Sequence, residues 1–134
     1  EVSLIENQMQ NDIFRQLCGI HGSENVGAEN QTGNGTLIDI VVRVKGKGGS
    51  EDFVFYELKA SGPPLICIRN ALSQLIEYSY YPNRCLAAKL VIVSHHKISV
   101  EVCSYLKTLR KKLGLPIYYQ RFNVENRTLE PTLF

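Results

Sequence analysis

The stretch LIDIVVRVKGKGGSEDFVFYELK, residues 37–59, contains two strand-like runs separated by a charged, glycine-rich turn. Successive side chains of a strand point to opposite faces, so each run presents two faces. The first run places Ile38, Ile40, Val42 and Val44 on one face and Leu37, Asp39, Val41 and Arg43 on the other. The second run places Val54, Tyr56 and Leu58 on one face and Phe53, Phe55, Glu57 and Lys59 on the other. We therefore predict a β-hairpin in which each strand has one apolar face and one face that carries an acid.

Helical and strand-like segments surround this hairpin. Apolar residues at helical spacing predict three helices. The first runs from Leu4 to Leu17 and is ended by Gly19 and Gly22, the second from Ile68 to about Tyr80 and is ended by Pro82, and the third from Ser99 to Leu113 and is ended by Gly114. The runs KLVIVS and LPIYYQRF are typical of strands, whereas GAENQTGNG, residues 27–35, is interpreted as a polar loop. The predicted order is helix, strand, strand, helix, strand, helix, strand. This order indicates an α/β domain with a central mixed sheet flanked by helices.

Length and composition favour one ordinary globular domain over residues 1–134. The chain does not begin with Met, so we expect that it can be a piece excised from a longer protein. No apolar run approaches the roughly 18 to 20 residues that cross a bilayer, and no signal peptide is recognisable, so we expect no membrane association. The four cysteines include no CxxC pair, which favours a reduced, cytoplasmic protein over a disulfide framework or a zinc site. The net charge of +2 decides little about nucleic-acid binding.

The charged residues of the hairpin suggest a metal site. In a suitable register, adjacent antiparallel strands bring Asp39 and Glu57 into side-chain contact. Two carboxylates in a small space repel each other unless a divalent cation lies between them. Mg²⁺ prefers oxygen ligands and usually takes one or two protein carboxylates, leaving its other positions to water and substrate phosphate. Lys59 emerges beside Glu57, where it can orient a water molecule or neutralise charge on phosphorus.

Asp39 followed by the triplet Glu57-Leu58-Lys59 on the next strand resembles the motif of the PD-(D/E)XK nuclease superfamily, with Ile38 where a proline would stand. The helix NALSQLIEYSYY carries Gln74 and Tyr78, which resemble the Q-xxx-Y motif of one large branch of these nucleases. Residues four apart lie on the same face of a helix, so these two side chains project together.

The resemblance covers roughly residues 4–93 and implies a restriction-endonuclease-like core of αβββαβ type. It implies a metal-dependent DNA endonuclease that hydrolyses phosphodiester bonds, with Mg²⁺ as cofactor and Mn²⁺ expected to substitute. Metal ligands would be Asp39, Glu57 and the main-chain carbonyl of Leu58, Lys59 would position the attacking water, and Gln74 and Tyr78 would support the site. Members often add a glutamate from the first helix, for which Glu6 is the candidate and Glu29 its rival. So small a domain leaves little surface for specificity, which suggests a homodimer or additional domains.

Several simpler interpretations compete with this one. Glu57 and Lys59 would contribute only about 0 to 1 kcal/mol as an exposed ion pair on an edge strand, and Gln74 and Tyr78 would then be the polar flank of a packed helix. If Asp39 and Glu57 lay on opposite faces of the sheet, the chain would be an ordinary α/β domain without a site. A further alternative is a catalytically inactive nuclease-like module that binds DNA or protein within a larger chain.

Two other polar clusters are interpreted as solvated surface. His95 and His96 follow a strand, and adjacent residues at a strand end are expected to point to opposite faces, so these histidines are interpreted as the start of a loop. The basic run Arg110, Lys111 and Lys112 fits the end of a helix, where cations are favoured by the helix dipole.

Overall fold

The computed structural model describes residues 4–31, 37–60, 62–81 and 87–134, with the side chains of 5, 29–31, 37 and 38 left outside the description. Within these residues the chain forms three α-helices and six β-strands. They are α1 (Leu4–His21), β1 (Val26–Gln31), β2 (Leu37–Lys45), β3 (Glu51–Leu58), α2 (Pro64–Tyr80), β4 (Lys89–Ser94), α3 (Val100–Leu113), β5 (Ile117–Asn123) and β6 (Thr128–Leu133). The predicted α/β class is therefore confirmed.

The six strands form one mixed sheet in the order β1-β2-β3-β4-β5-β6. Pairing is antiparallel between β1 and β2, between β2 and β3, and between β5 and β6, while β3, β4 and β5 run parallel. The predicted hairpin is β2 and β3, joined by a short turn that includes a 3-10 segment at Lys47–Gly49. Because β3 and β4 are parallel, the residues that follow them lie together at the carboxyl ends of these two strands.

The sheet separates two hydrophobic cores. On one face, α1 buries Met9, Ile13 and Leu17 against the apolar side of β2 and β3, together with Val91 and Val93 of β4. On the other face, α2 and α3 pack over Phe55, Leu90, Ile92, Ile117 and Tyr119. The strand β4 is covered on both faces, as its unbroken apolar run predicts.

Helix boundaries follow local signals. The helix α3 begins after the N-cap Ser99, whose hydroxyl accepts a hydrogen bond from the Val102 amide, and ends at Gly114 in a left-handed conformation. The helix α2 starts at Pro64, earlier than the predicted Ile68, because proline is tolerated in the first turn. It ends at Tyr80 as expected, whereas Pro82 lies outside the described residues.

Two predicted boundaries differ from the structure, and one strand was not predicted. The helix α1 continues past Gly19 and ends at His21, directly before Gly22, because one glycine in a helix is disfavoured but tolerated. The predicted loop over 27–35 belongs to β1 as far as Gln31, and residues 32–36 lie outside the description. The strand β6 was not predicted, because TLEPTL has no alternating pattern and contains Pro131, which an edge strand tolerates.

A polar clasp joins α1 to the β5–β6 hairpin. The buried carboxylate of Asp12 accepts hydrogen bonds from Nε and Nη2 of Arg127, both at 2.8 Å. Gln16 lies one turn further along α1, and its side chain accepts from the Leu129 amide at 2.6 Å. Arg127 adopts a positive φ of 57°, which is uncommon for a residue other than glycine. These bonds fix the far edge of the sheet to the helix that covers its first face.

No helix among the described residues is both long and apolar enough to cross a membrane. Of the described cysteines, Cys67 is buried and Cys18 and Cys103 are half-buried, and Cys85 lies outside the description.

Candidate active site

Asp39 and Glu57 lie on the same face of the sheet. The register of the hairpin pairs Val41 with Phe55 and Ile40 with Tyr56, so one further step places Asp39 opposite Glu57. Val41 and Phe55 contact the core beneath α2 and α3, and alternation carries both carboxylates to that side. This arrangement excludes the alternative in which the two acids occupy opposite faces.

The side chain of Asp39 makes a hydrogen bond to β3 just beyond the point where the main-chain pairing of β2 with β3 ends. Its Oδ2 accepts a hydrogen bond from the main-chain amide of Leu58 at 2.9 Å, two residues beyond Tyr56, the last residue of β3 that pairs with β2. The main-chain oxygen of Asp39 accepts from Nε2 of Gln10 in α1 at 3.2 Å. The position of Asp39 is therefore fixed from both a strand and a helix.

Glu57 is a buried carboxylate with incomplete hydrogen bonding. The residue is 5% exposed, and β3 is paired on both sides, which contradicts an exposed ion pair on an edge strand. Its Oε2 lies 3.4 Å from Nζ of Lys59, whose side chain is 24% exposed. Its Oε1 is buried and has no hydrogen-bond partner among the described residues. An unsatisfied buried carboxylate oxygen is costly and marks a candidate functional group.

Burial and charge act together on Glu57. Desolvation and, after it, the negative charge of Asp39 raise the pKa of Glu57 while Lys59 lowers it, and together these effects bring the pKa from the ordinary 4.5 to about 7. The lysine therefore compensates the local negative charge only in part. A second positive charge close to Glu57 would lower the pKa of its carboxyl further and favour its ionised form.

Of the two predicted helix residues, Tyr78 lies near the carboxylate pair. Tyr78 is buried, and its pKa is raised to about 12, first by burial and then by the negative charges of Glu57, Asp39 and Glu77. Gln74 lies one turn earlier, and its Oε1 is buried without a partner among the described residues. Tyr78 and the Oε1 atom of Gln74 are buried, which favours a supporting role over a polar flank of α2, and that role stays a prediction.

The two candidates for a third carboxylate differ in what the structure describes. Glu6, at the start of α1, lies near enough to Glu57 for its charge to raise the pKa of that carboxyl, as the smallest of the contributions. Glu29 belongs to β1, but its side chain lies outside the description. Of the two, only Glu6 can be placed near the carboxylate pair from the described residues.

His95 and His96 follow β4 at the same edge of the sheet. Their rings stack with centroids 4.1 Å apart, so the prediction that they point to opposite faces is wrong. The strand ends at Ser94, and its alternation therefore does not extend to these residues. Nε2 of His96 lies 3.3 Å from the main-chain oxygen of Ala60, directly after Lys59. Sequence reasoning missed this contact because it depends on the parallel pairing of β3 with β4.

Gln10 was also missed, although a sequence signal existed. It stands four residues after Glu6, so both occupy the same face of α1. The helix that was expected to provide a carboxylate to the site therefore provides a hydrogen-bond donor to Asp39 as well.

The donor set fits Mg²⁺ better than a softer metal. Asp39, Glu57 and the Leu58 carbonyl would offer only oxygen, and Oε1 of Glu57 has no hydrogen-bond partner among the described residues. No group of three or more acidic, histidine or cysteine side chains among the described residues is arranged to hold a metal ion. A cation here would have two protein carboxylates and several positions left for water and phosphate, which is the usual coordination of Mg²⁺.

Comparisons of the chain with models of known families, with curated proteins and with solved structures found no match. The activity of the site is therefore inferred from its own residues.

Proposed function

We propose that the chain is a Mg²⁺-dependent nuclease domain of the PD-(D/E)XK type that hydrolyses phosphodiester bonds in DNA. The observation that carries this proposal is the buried Glu57 carboxylate, with one unpartnered oxygen, opposite Asp39 and beside Lys59. The chain order α1, β1, β2, β3, α2, β4 supports it, since the resemblance implies a core of αβββαβ type.

The proposed roles follow from the chemistry of each group. A bound Mg²⁺ would supply positive charge that offsets the two carboxylates and the phosphate of the substrate. The Nζ of Lys59 lies beside Glu57 and is placed to orient the attacking water or to stabilise charge that develops on phosphorus. Tyr78 keeps its hydroxyl proton at neutral pH, because its pKa is about 12, and so acts as a neutral hydrogen-bond donor. Gln74 presents a polar side chain on the same face of α2.

The retention of a costly arrangement favours an enzyme over an inactive module. An inactive copy has no need for two facing carboxylates of which one is buried, and apolar replacements would stabilise the fold. The free-energy cost of burying the Glu57 carboxylate would be offset in an enzyme, where a cation and a phosphate would complete the site.

The proposal is tested by incubating the purified protein with double-stranded and single-stranded DNA, with Mg²⁺ or Mn²⁺ and with EDTA. We expect metal-dependent cleavage by the wild type and none by Lys59→Ala, with both proteins folded by circular dichroism. Lys47→Ala, in the exposed turn between β2 and β3, is the matched control and should cleave normally. Full cleavage by Lys59→Ala, or none by the wild type with either metal on either substrate, would contradict the proposal.

A further inference from the structure

The segment that follows β3 carries Lys59 and is attached to the end of β4. The amide of Lys59 donates to the main-chain oxygen of Val93 at 2.9 Å. The next carbonyl, that of Ala60, lies 3.3 Å from Nε2 of His96. A carbonyl oxygen only accepts hydrogen bonds, so Nε2 of His96 must carry the proton in this contact. The side chain of His96, just after β4, thus holds the residue that immediately follows Lys59.

His96 is itself fixed by the core. Its main-chain oxygen accepts a hydrogen bond of 2.6 Å from the hydroxyl of Tyr119, a residue that is fully buried. Its amide donates to Oγ of Ser94 at 3.4 Å, and its ring stacks on His95. The imidazole therefore extends from a rigid part of the sheet to the segment that it holds.

A second and weaker contact comes from α2. Sγ of Cys67 lies 3.6 Å from the main-chain oxygen of Lys59 and 3.4 Å from that of Gly62. A thiol is a weak donor and has a single proton to share between these acceptors. The imidazole of His96 is thus the stronger side-chain donor to this segment among the contacts described.

The position of this segment matters because the lysine side chain is long. Lys59 has a flexible four-carbon stem, and only a stationary main chain keeps its Nζ 3.4 Å from Glu57. A displacement of the order of 1 Å in a catalytic group can cost about a hundredfold in rate.

We propose that His96 is a positioning residue for Lys59, acting through its hydrogen bond to the carbonyl of Ala60. The consequence for catalysis rests on the proposed nuclease function, whereas the consequence for the location of the lysine does not. The imidazole of His96 touches neither the substrate nor a metal in this role. Its loss should release the lysine from Glu57 without removing any group that carries out the reaction.

The first experiment follows the lysine without any substrate. The metal-free protein is treated with a limiting amount of an acetylating N-hydroxysuccinimide ester, and the rate of modification of each lysine is read by peptide mass spectrometry. We expect Lys59 to react several-fold faster in His96→Ala than in the wild type, while exposed Lys97 reacts at the same rate in both. His96→Gln, whose Nε2 can donate from a similar place, should restore the slow rate. His21→Ala, at the far end of α1, is the control for loss of an imidazole elsewhere.

The second experiment measures cleavage of DNA by the same variants. We expect His96→Ala to lower kcat by about tenfold to a hundredfold with KM unchanged, and His96→Gln to recover most of the loss. An unchanged acetylation rate for Lys59 in His96→Ala, equal rates in the Ala and Gln variants, or an unchanged kcat would each overturn the inference. A wild type that cleaves nothing refutes the proposed function instead, and the acetylation rates still decide whether His96 holds the lysine.

Discussion

Replacing Glu57 with glutamine should stabilise the metal-free protein at alkaline pH while removing the proposed nuclease activity. Glutamine keeps the size of the side chain and resembles the protonated carboxyl, so it removes the charge that the buried position disfavours. Burial and the facing Asp39 raise the pKa of Glu57 from 4.5 to about 7. At about 1.36 kcal/mol for each pH unit, this difference corresponds to about 3 kcal/mol of disfavoured ionisation in the folded state.

The sign of the pH dependence follows from the raised pKa. Below pH 4.5 the Glu57 carboxyl is protonated in both the folded and the unfolded chain, and its ionisation costs nothing. Between pH 4.5 and about 7 the unfolded chain releases this proton first, so the free energy of unfolding decreases as the pH rises. Above this range the loss is complete. The difference in stability between Glu57→Gln and the wild type should therefore be near zero at pH 4 and about 3 kcal/mol at pH 8.

The assay is urea denaturation in EDTA at several pH values between 4 and 8, with thermal melting in parallel. For a chain of 134 residues, about 3 kcal/mol corresponds to a rise in Tm of about 10 °C. Glu51→Gln is the matched control, because Glu51 begins the same strand with an exposed side chain and should give a difference near zero throughout. Equal stability of Glu57→Gln and the wild type at pH 8 would refute the claim that an ionised Glu57 is disfavoured by its surroundings.

Three further predictions concern the clasp and the helix side of the site. Arg127→Ala should lower the free energy of unfolding, because it removes two hydrogen bonds to the buried Asp12 carboxylate. Arg127→Gly should lose less, since glycine accepts the positive φ. Urea denaturation compares the two variants, and equal losses would refute the contribution of backbone strain. Arg127 lowers the pKa of Asp12, so the stability from this pair is present above the pKa of Asp12 in the unfolded chain and is lost as the pH falls through its pKa in the folded chain. The free energy of unfolding of Asp12→Asn should therefore differ most from that of the wild type at neutral pH and least in acid. A difference that grows in acid would contradict this sign. Gln74→Leu should raise the free energy of unfolding by about 1 kcal/mol, because it removes a buried oxygen that has no partner among the described residues. The same change should lower the rate of DNA cleavage. A destabilised variant that cleaves normally would contradict both expectations.

The facing of Asp39 and Glu57 was predictable because it needs only the alternation of two strands and the turn between them. The helices α2 and α3 were similarly visible from apolar spacing and their end signals. In contrast, β1 is an edge strand that pairs with the next strand, β2, and its own sequence shows no period of two. Pairing with β2 stabilises it, and the local pattern of β1 does not record that pairing.

The details of the site depend on contacts that sequence spacing cannot give. The bond from the Leu58 amide to Asp39 depends on where the ladder between β2 and β3 ends. The contact between His96 and Ala60 depends on which strand lies beside β3, and a hairpin pattern alone does not identify that neighbour. Residue types could therefore be assigned to a site from the sequence, while the groups that hold them in place required the fold.

The central claim is that Asp39 and Glu57 together bind a divalent cation. The most direct test is titration of the metal-free protein with Mn²⁺, with free Mn²⁺ measured by electron paramagnetic resonance, followed by competition with Mg²⁺. The wild type is predicted to bind one Mn²⁺ per chain that Mg²⁺ displaces, and both Asp39→Asn and Glu57→Gln are predicted to lose this binding. Absence of binding by the wild type, or undiminished binding by the two variants, would contradict the claim.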